Sequence, residues 1–143
     1  MPLPRPAPGL VVRYDYVWSR ESARGRTQGK DRPACIVVAT DDEATPQHVV
    51  LVPITHSPPR KGDVGVEIPP KVRRAIGLDD EPAWIIVSDH NVDAWPSPGL
   101  APLPGKSSVY AYGFIPRALF IQVKAEFLAL AEKSETAGVN RTP

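Results

Sequence analysis

Proline constrains this chain more than any other residue type, because it accounts for 18 of the 143 residues. The prolines are concentrated in three stretches, Pro2–Pro8, Pro53–Pro82 and Pro96–Pro104. Proline fixes φ and has no backbone N–H, so each stretch interrupts regular helix or sheet. A chain divided into such short pieces is not expected to form a helical bundle.

The segments between the prolines have the apolar patterns of short β-strands. From Leu10 to Trp18, apolar and polar residues alternate as in a strand that buries one face. The run Pro33–Thr40 is almost entirely apolar, which is typical of a strand buried on both faces. Further strands are predicted at residues 48–55, 64–68, 84–87 (running on into polar residues 88–91) and 110–114, with loops at 19–31, 57–63 and 96–108 and a turn at 41–47.

Two helices are predicted among these strands. Pro69 and Pro70 suit the first turn of a short helix that Gly77 ends. A longer helix is predicted over Pro116–Glu132, where one apolar stripe recurs at steps of three or four residues: Leu119, Val123, Phe127 and Leu130.

This order of elements predicts one domain of the mainly β class with helices (β+α). Its strands bury themselves best as a small antiparallel barrel or twisted sheet of five to six strands, with the final helix packed against it. We expect residues 9–132 to form this barrel domain, residues 1–8 a disordered N-terminal tail and residues 133–143 a flexible C-terminal tail.

Several classes of protein are excluded by absences in the sequence. No apolar run approaches the ~20 residues of a membrane span, and Met1–Gly9 lacks the apolar core of a signal peptide. Cys35 is the single cysteine and is expected to be a small buried hydrophobe. The three histidines lack metal-binding spacing, and no glycine-rich phosphate motif is present. We therefore predict a cytoplasmic protein with no metal, cofactor or membrane partner.

A basic loop and two strand ends are the candidate functional features. Between Arg20 and Arg32 the sequence has five basic residues against two acidic ones, which suggests an anionic partner, although a solvated surface loop has the same composition. Arg32 precedes one strand and Thr55 ends the next, so antiparallel pairing should bring them together at one rim of the sheet. A guanidinium fork and a hydroxyl there could bind a phosphodiester.

These segments resemble the MazF/PemK toxins of type II toxin–antitoxin systems. Lys30-Asp31-Arg32-Pro33 with the apolar run that follows is similar to the family's Gly-x-Arg-Pro strand start. Val50-Leu51-Val52-Pro53-Ile54-Thr55 is similar to its strand ending in Pro-Ile-Thr. Gly9-Leu10-Val11-Val12, Trp84 to His90 and Tyr112-Gly113-Phe114-Ile115-Pro116 resemble its opening strand, a later apolar strand and the start of the terminal helix, in the same order.

The resemblance implies an SH3-like barrel, a homodimer, metal-independent endoribonuclease activity and a cognate antitoxin whose flexible segment occupies the RNA groove. It places the catalytic arginine at Arg32 and the catalytic threonine at Thr55. Asp31 departs from the family pattern and offers Arg32 a competing ion pair.

The remaining candidate site residues are predicted from residue type and position. His56 is a candidate helper, since histidine titrates near neutral pH. The RNA-binding candidates lie in the loop before Arg32: Arg20, Arg24, Arg26, Gln28 and Lys30. The alternatives are a non-catalytic toxin of the same barrel, like the gyrase poison CcdB, and an inactive barrel that binds RNA or a protein partner.

Overall fold

The structure is a computed structural model that describes residues 3–40, 43 and 47–142. Within them the chain forms three helices, α1 (Ser19–Ser22), α2 (Pro70–Ala75) and α3 (Arg117–Glu132). The same residues form eight strands: β1 (Leu10–Tyr16), β2 (Lys30–Ala39), β3 (Gln47–Thr55), β4 (Gly65–Glu67), β5 (Trp84–Ile86), β6 (Asp89–Trp95), β7 (Ala111–Phe114) and β8 (Ala137–Asn140). Most of the turn predicted at residues 41–47 lies outside the described residues.

Mostly antiparallel pairing curls the strands into a half-barrel. The order β7-β1-β2-β3 forms its centre, and β3 then pairs with β6 through its first residues and with β5 through Ile54 and Thr55. Because β3 pairs first with β6 and then, further along, with β5, the sheet bends along β3. A register shift between β2 and β3, between Ile36 and Val38, adds local twist. The β+α class predicted from the sequence, an antiparallel sheet of the small-barrel type with a C-terminal helix, is confirmed. The described residues form eight strands where five to six were predicted, because β6 is separate from β5 and β8 was not predicted.

The two faces of this sheet bury separate apolar cores. On one face Val11, Cys35 and Val52 pack with residues of α2 and α3. On the other face Tyr14 and Tyr16 pack with further residues of β2 and β3 and with Trp95. Burial on both faces explains why β2 is an apolar run instead of an alternating one.

Helix α3 covers the first of these cores. Leu119, Val123 and Phe127 are its buried residues, at steps of four, and Pro116 occupies the N-cap position. The predicted apolar stripe is therefore the packed face. Among the described residues, no helix is long and apolar enough to cross a membrane.

Strand β6 has a polar inner face that the sequence analysis did not predict. A two-residue turn at Val87 and Ser88 separates it from β5, so β5 does not continue into residues 88–91. The hydroxyl of Tyr16 donates to Asp89 (2.5 Å) and that of Tyr14 donates to Asp93 (2.6 Å). Asn91 exchanges two hydrogen bonds with the backbone of Val17. These buried polar groups are satisfied, so they join β1 to β6 across the curl of the sheet.

Residues 137–141 are packed in the structure, although residues 133–143 were predicted to be a flexible tail. β8 pairs in parallel with β6, with Val139 opposite Asn91. Beyond it, Arg141 forms an ion pair with Asp15 at 3.0 Å. The polar composition of this segment misled the prediction, because the segment is held by backbone pairing and one partly buried ion pair instead of apolar contacts.

The N-terminal tail is also packed where the structure describes it. Trp95 Nε1 donates to the carbonyl of Pro4 at 3.1 Å, and Pro6 is buried. The predicted disorder of residues 1–8 is therefore wrong for this part of the segment, and residues 1 and 2 lie outside the described residues.

Candidate nucleic-acid interface

Arg32 and Thr55 border the same cavity at the rim of the sheet. β2 pairs with β3 with Ala34 opposite Pro53, and continuing this register by two residues places Arg32 opposite Thr55. Arg32 lies within β2, two residues after its start, whereas the sequence analysis placed it before the strand. The cavity has a volume of about 150 Å³ and is further lined by Trp18, Arg20, Ser57, Pro58, Pro59, Arg60, Asp63 and Ile86.

The guanidinium of Arg32 is half-buried and has unused hydrogen-bonding capacity. Its Nε is buried without a hydrogen-bond partner among the described residues. Burial lowers the pKa of Arg32, and the nearby carboxylate of Glu21 partly offsets the shift. A buried donor without an acceptor is costly, so an arginine in this state is suited to an anionic ligand that supplies the acceptor.

Asp31 does not neutralise Arg32. Successive side chains of a strand point to opposite faces, and in β2 Asp31 lies opposite Asp15 while Arg32 lies opposite Tyr14. Within residues 3–40, 43 and 47–142, the structure contains no ion pair between Asp31 and Arg32. The competing ion pair suggested by the sequence is therefore absent from this part of the chain.

Trp18 contacts the two arginines on the basic side of the small cavity. Its indole is 6% exposed, and it packs edge-on against Tyr16 with ring centroids 5.5 Å apart. The guanidinium carbons of Arg20 and Arg32 lie 4.4 Å and 5.4 Å from the centre of the indole. Cation–π contacts hold both guanidiniums without using their N–H donors, which stay available to a ligand.

Thr55 presents a hydroxyl whose proton is available for donation. Its Oγ1 accepts a hydrogen bond from the backbone N–H of Ser57 at 3.1 Å. A hydroxyl has one donor in addition to its acceptor sites, so this contact orients the oxygen and leaves the O–H to bind a phosphate oxygen.

His56 shares a larger cleft with Arg32 and Thr55, but its ring nitrogens are bound to other groups. Its Nε2 lies 2.9 Å from Asp79 Oδ2, and its Nδ1 lies 3.0 Å from the carbonyl oxygen of Pro82. Both ring nitrogens are thus engaged by the loop after α2. The structure does not bring His56 into the small cavity, which contains the other two predicted catalytic residues.

His56 also belongs to the one group among the described residues whose ligand atoms are spaced for a metal ion. Those of His56, Asp79 and Glu81 lie within 4.8 Å of one another, and all three residues are exposed. The sequence analysis found no metal-binding spacing, because Asp79 and Glu81 lie more than twenty residues from His56. The ion pair between His56 and Asp79 already accounts for their approach.

A larger cleft of about 880 Å³ adjoins the small cavity on the other side of the rim. Arg32, Thr55 and His56 lie along its edge together with Lys30. Its floor is largely apolar, from Ile54, Ile76, Leu78, Leu103, Val109 and Tyr112. Arg13 and Lys106 add positive charge to the lining, and Asp31 and Asp79 add negative charge. Such a surface suits unstacked bases or an amphipathic peptide segment.

The predicted RNA-binding residues divide into two groups. Arg20 lines the small cavity and Lys30 lines the large cleft. Arg24, Arg26 and Gln28 are exposed in the loop between α1 and β2 and line neither.

The loop between α1 and β2 is anchored at Gly29, whose N–H donates to Asp15 at 3.0 Å. A Cβ at that position would lie 1.8 Å from the carbonyl oxygen of Tyr16, so only glycine fits.

Arg60 is the cationic residue of the small cavity that sequence reasoning missed. It lies in the proline-rich loop after Thr55, which was interpreted only as a connection. The available signal was the basic pair Arg60-Lys61, which follows the strand end that carries Thr55 by a few residues.

Comparison with known protein families and with curated proteins finds no match for this chain.

Proposed function

We propose that this chain is a toxin of the MazF/PemK type, which acts as a metal-independent endoribonuclease on single-stranded RNA. The observation that carries the proposal is the pairing of Arg32 with Thr55 in one cavity. Among the described residues the buried Nε of Arg32 has no acceptor, and the hydroxyl of Thr55 keeps a proton to donate. Together they offer a guanidinium and a hydroxyl donor to an anion such as a phosphate group.

The proposed reaction is transesterification within the RNA strand. The ribose 2′-hydroxyl gives its proton to solvent water and attacks the adjacent phosphorus, and the bond to the 5′ oxygen breaks. The leaving 5′ oxygen takes a proton from Arg32, which solvent then reprotonates, so the products end in a 2′,3′-cyclic phosphate and a 5′-hydroxyl. Arg32 stabilises the charge that gathers on the non-bridging oxygens, and Thr55 orients the phosphate. His56 has no role in this step, since its ring nitrogens are held at Asp79 and Pro82.

The large cleft provides a place for the bases beside the reacting phosphate. Single-stranded RNA exposes its bases for contact with apolar and aromatic surfaces. The apolar floor with Tyr112 is suited to such contacts, and Arg13, Lys30 and Lys106 line the same cleft. The family resemblance adds a homodimer, a cognate antitoxin that occupies this cleft, and a cytoplasmic location to the proposal.

The proposal is tested by cleavage assays with purified Arg32→Ala and Thr55→Ala. Removing one preorganised donor from an oxyanion site costs roughly 10²–10³-fold in rate, so we expect Arg32→Ala to fall by that factor and to lose growth inhibition. Thr55→Ala should be less impaired. Arg117→Ala is the matched control, because Arg117 is exposed at the start of α3 and lines none of the cavities described.

The products separate the nuclease from its alternatives. We expect 2′,3′-cyclic phosphate ends, no effect of a chelator, and resistance of RNA with 2′-deoxy residues at the cut site. Full activity of folded Arg32→Ala would refute the site, and cleavage of 2′-deoxy substrate would refute the mechanism. Growth inhibition by wild type without RNA cleavage would instead support a non-catalytic toxin.

A further inference from the structure

A second, shallower cavity continues from the small cavity on the side away from the large cleft. It has a volume of about 450 Å³ and is lined by Ser19, Lys61, Ser88 and Ser134 among others. Arg20, Arg60 and Asp63 line both cavities. A continuous trough therefore runs from Arg32 and Thr55, past Arg20 and Arg60, toward Lys61 and Ser134.

Asp89 is the one carboxylate of this trough that is fully engaged by other groups of the described chain. Asp89 is buried and accepts hydrogen bonds from the hydroxyls of Tyr16 and Ser19, both at 2.5 Å, and from the backbone N–H of Ser19. Asp63 accepts a hydrogen bond from the hydroxyl of Ser88 at 3.4 Å. Asp89 is thus directed at the protein, whereas Asp63 is half-buried with only this long contact and Glu135, the third acid of the lining, is exposed.

The cations of the trough are not occupied in this way. In the part of the chain that the structure describes, the guanidiniums of Arg20 and Arg60 form no hydrogen bond or ion pair with a protein acceptor. Arg20 is held over Trp18 by its cation–π contact, and Arg60 is exposed on the loop that follows Thr55. Two arginines with free donors, adjacent to the site for one phosphate, are placed to bind the next phosphate of the same strand.

We propose that Arg60 and Arg20 form a second phosphate subsite, which binds the phosphodiester adjacent to the one held by Arg32 and Thr55. This inference rests on the proposed function, because it assumes that the small cavity holds the scissile phosphate. It fixes how the RNA strand lies across the rim. The bases lie toward the large cleft, and the sugar–phosphate backbone next to the scissile phosphate lies in the trough. Arg60 is a binding residue in this scheme and does not contact the reacting bonds.

The test measures binding separately from cleavage. The probe is a fluorescent single-stranded 12-mer that is 2′-deoxy at every position, so that the proposed mechanism cannot cut it, and affinity is followed by anisotropy at several salt concentrations. Each lost phosphate contact reduces the slope of log K against log salt by about 0.7 for a single strand. We expect this reduction for Arg60→Ala and for Arg20→Ala, with affinity about fivefold weaker at low salt. Arg60→Lys keeps the charge and should restore the slope.

Arg74→Ala is the matched control, since Arg74 is an exposed arginine of α2 that lines none of the three cavities. If Arg60→Ala and Arg20→Ala bind with the affinity and slope of Arg74→Ala while Arg32→Ala is weakened, the subsite is refuted and the scissile site stands. If wild type does not bind the probe, or Arg32→Ala binds it as well as wild type, the proposed function fails and the subsite with it.

Discussion

Replacing Arg141 by alanine should destabilise the protein although this residue lies two positions from the end of the sequence. Its guanidinium forms the ion pair with Asp15 and also donates to the Asp15 carbonyl oxygen at 2.5 Å and to Asn91 Oδ1 at 3.2 Å. It lies over the ring of Tyr14 at 5.6 Å and donates to the carbonyl of Thr27 at 3.4 Å. The Arg141 side chain therefore connects the segment after β8 with β1 and with the basic loop before β2.

The magnitude follows from the burial of this ion pair. Removing one partner of a fully buried ion pair costs about 3–5 kcal/mol, because the remaining charge loses its partner. The side chains of Arg141 and Asp15 are 14% and 23% exposed, so solvent screens part of this cost. We therefore expect Arg141→Ala to lower the free energy of unfolding by about 2–3 kcal/mol.

The measurement is urea unfolding followed by tryptophan fluorescence, with Arg117→Ala as the exposed-arginine control. A double-mutant cycle with Asp15→Ala isolates the pair, although Asp15 also accepts from Gly29 and its own substitution costs more than the pair alone. Amide exchange at residues 27–29 should accelerate in Arg141→Ala. A loss below about 0.5 kcal/mol, the range of ordinary surface substitutions, would refute the reasoning.

Two further predictions concern buried titratable groups. Burial raises the pKa of Asp89 despite hydrogen bonds from Ser19 and Tyr16, so the folded protein binds this proton more tightly than the unfolded chain. This contribution is complete below the unfolded pKa of about 3.9 and is lost as pH rises through the folded pKa. The unfolding free energy of wild type minus that of Asp89→Asn should therefore decrease with pH from about pH 4 upward, and a difference that rises with pH would contradict the assignment. Burial also raises the pKa of Cys35 to about 12, and its side chain is fully buried. A thiol reagent should label it only as fast as the protein unfolds, with the protein in denaturant as the rapid control, so labelling within seconds under native conditions would exclude this environment.

The sequence was sufficient for the elements whose patterns are local. Alternation from Leu10 to Trp18 located β1, and the stripe of Leu119, Val123 and Phe127 located the buried face of α3. Pairing of consecutive antiparallel strands then placed Arg32 near Thr55, because the start of one strand lies beside the end of the next. These predictions succeeded because the spacing of apolar residues and the pairing of consecutive strands depend on short stretches of chain.

The inner face of β6 and the role of β8 could not be predicted in the same way. Asp89, Asn91 and Asp93 have the composition of a surface loop, and their burial depends on Tyr14, Tyr16 and Val17, more than seventy residues away. The polar C-terminal segment likewise has no apolar pattern that would indicate burial. Long-range hydrogen bonds leave no periodic signal in either partner's sequence.

His56 and Arg60 show the same contrast, between what local sequence predicts and what distant contacts decide, within the candidate site. Both flank Thr55 in sequence, yet His56 is engaged by Asp79 and Pro82 on the loop after α2, whereas Arg60 borders the cavity of Arg32. By itself the sequence determined the first three strands, the terminal helix and the meeting of Arg32 with Thr55. Only the tertiary structure decided which neighbouring side chains share that cavity, because a strand end sends successive residues to opposite faces and the contacts of a loop depend on distant elements.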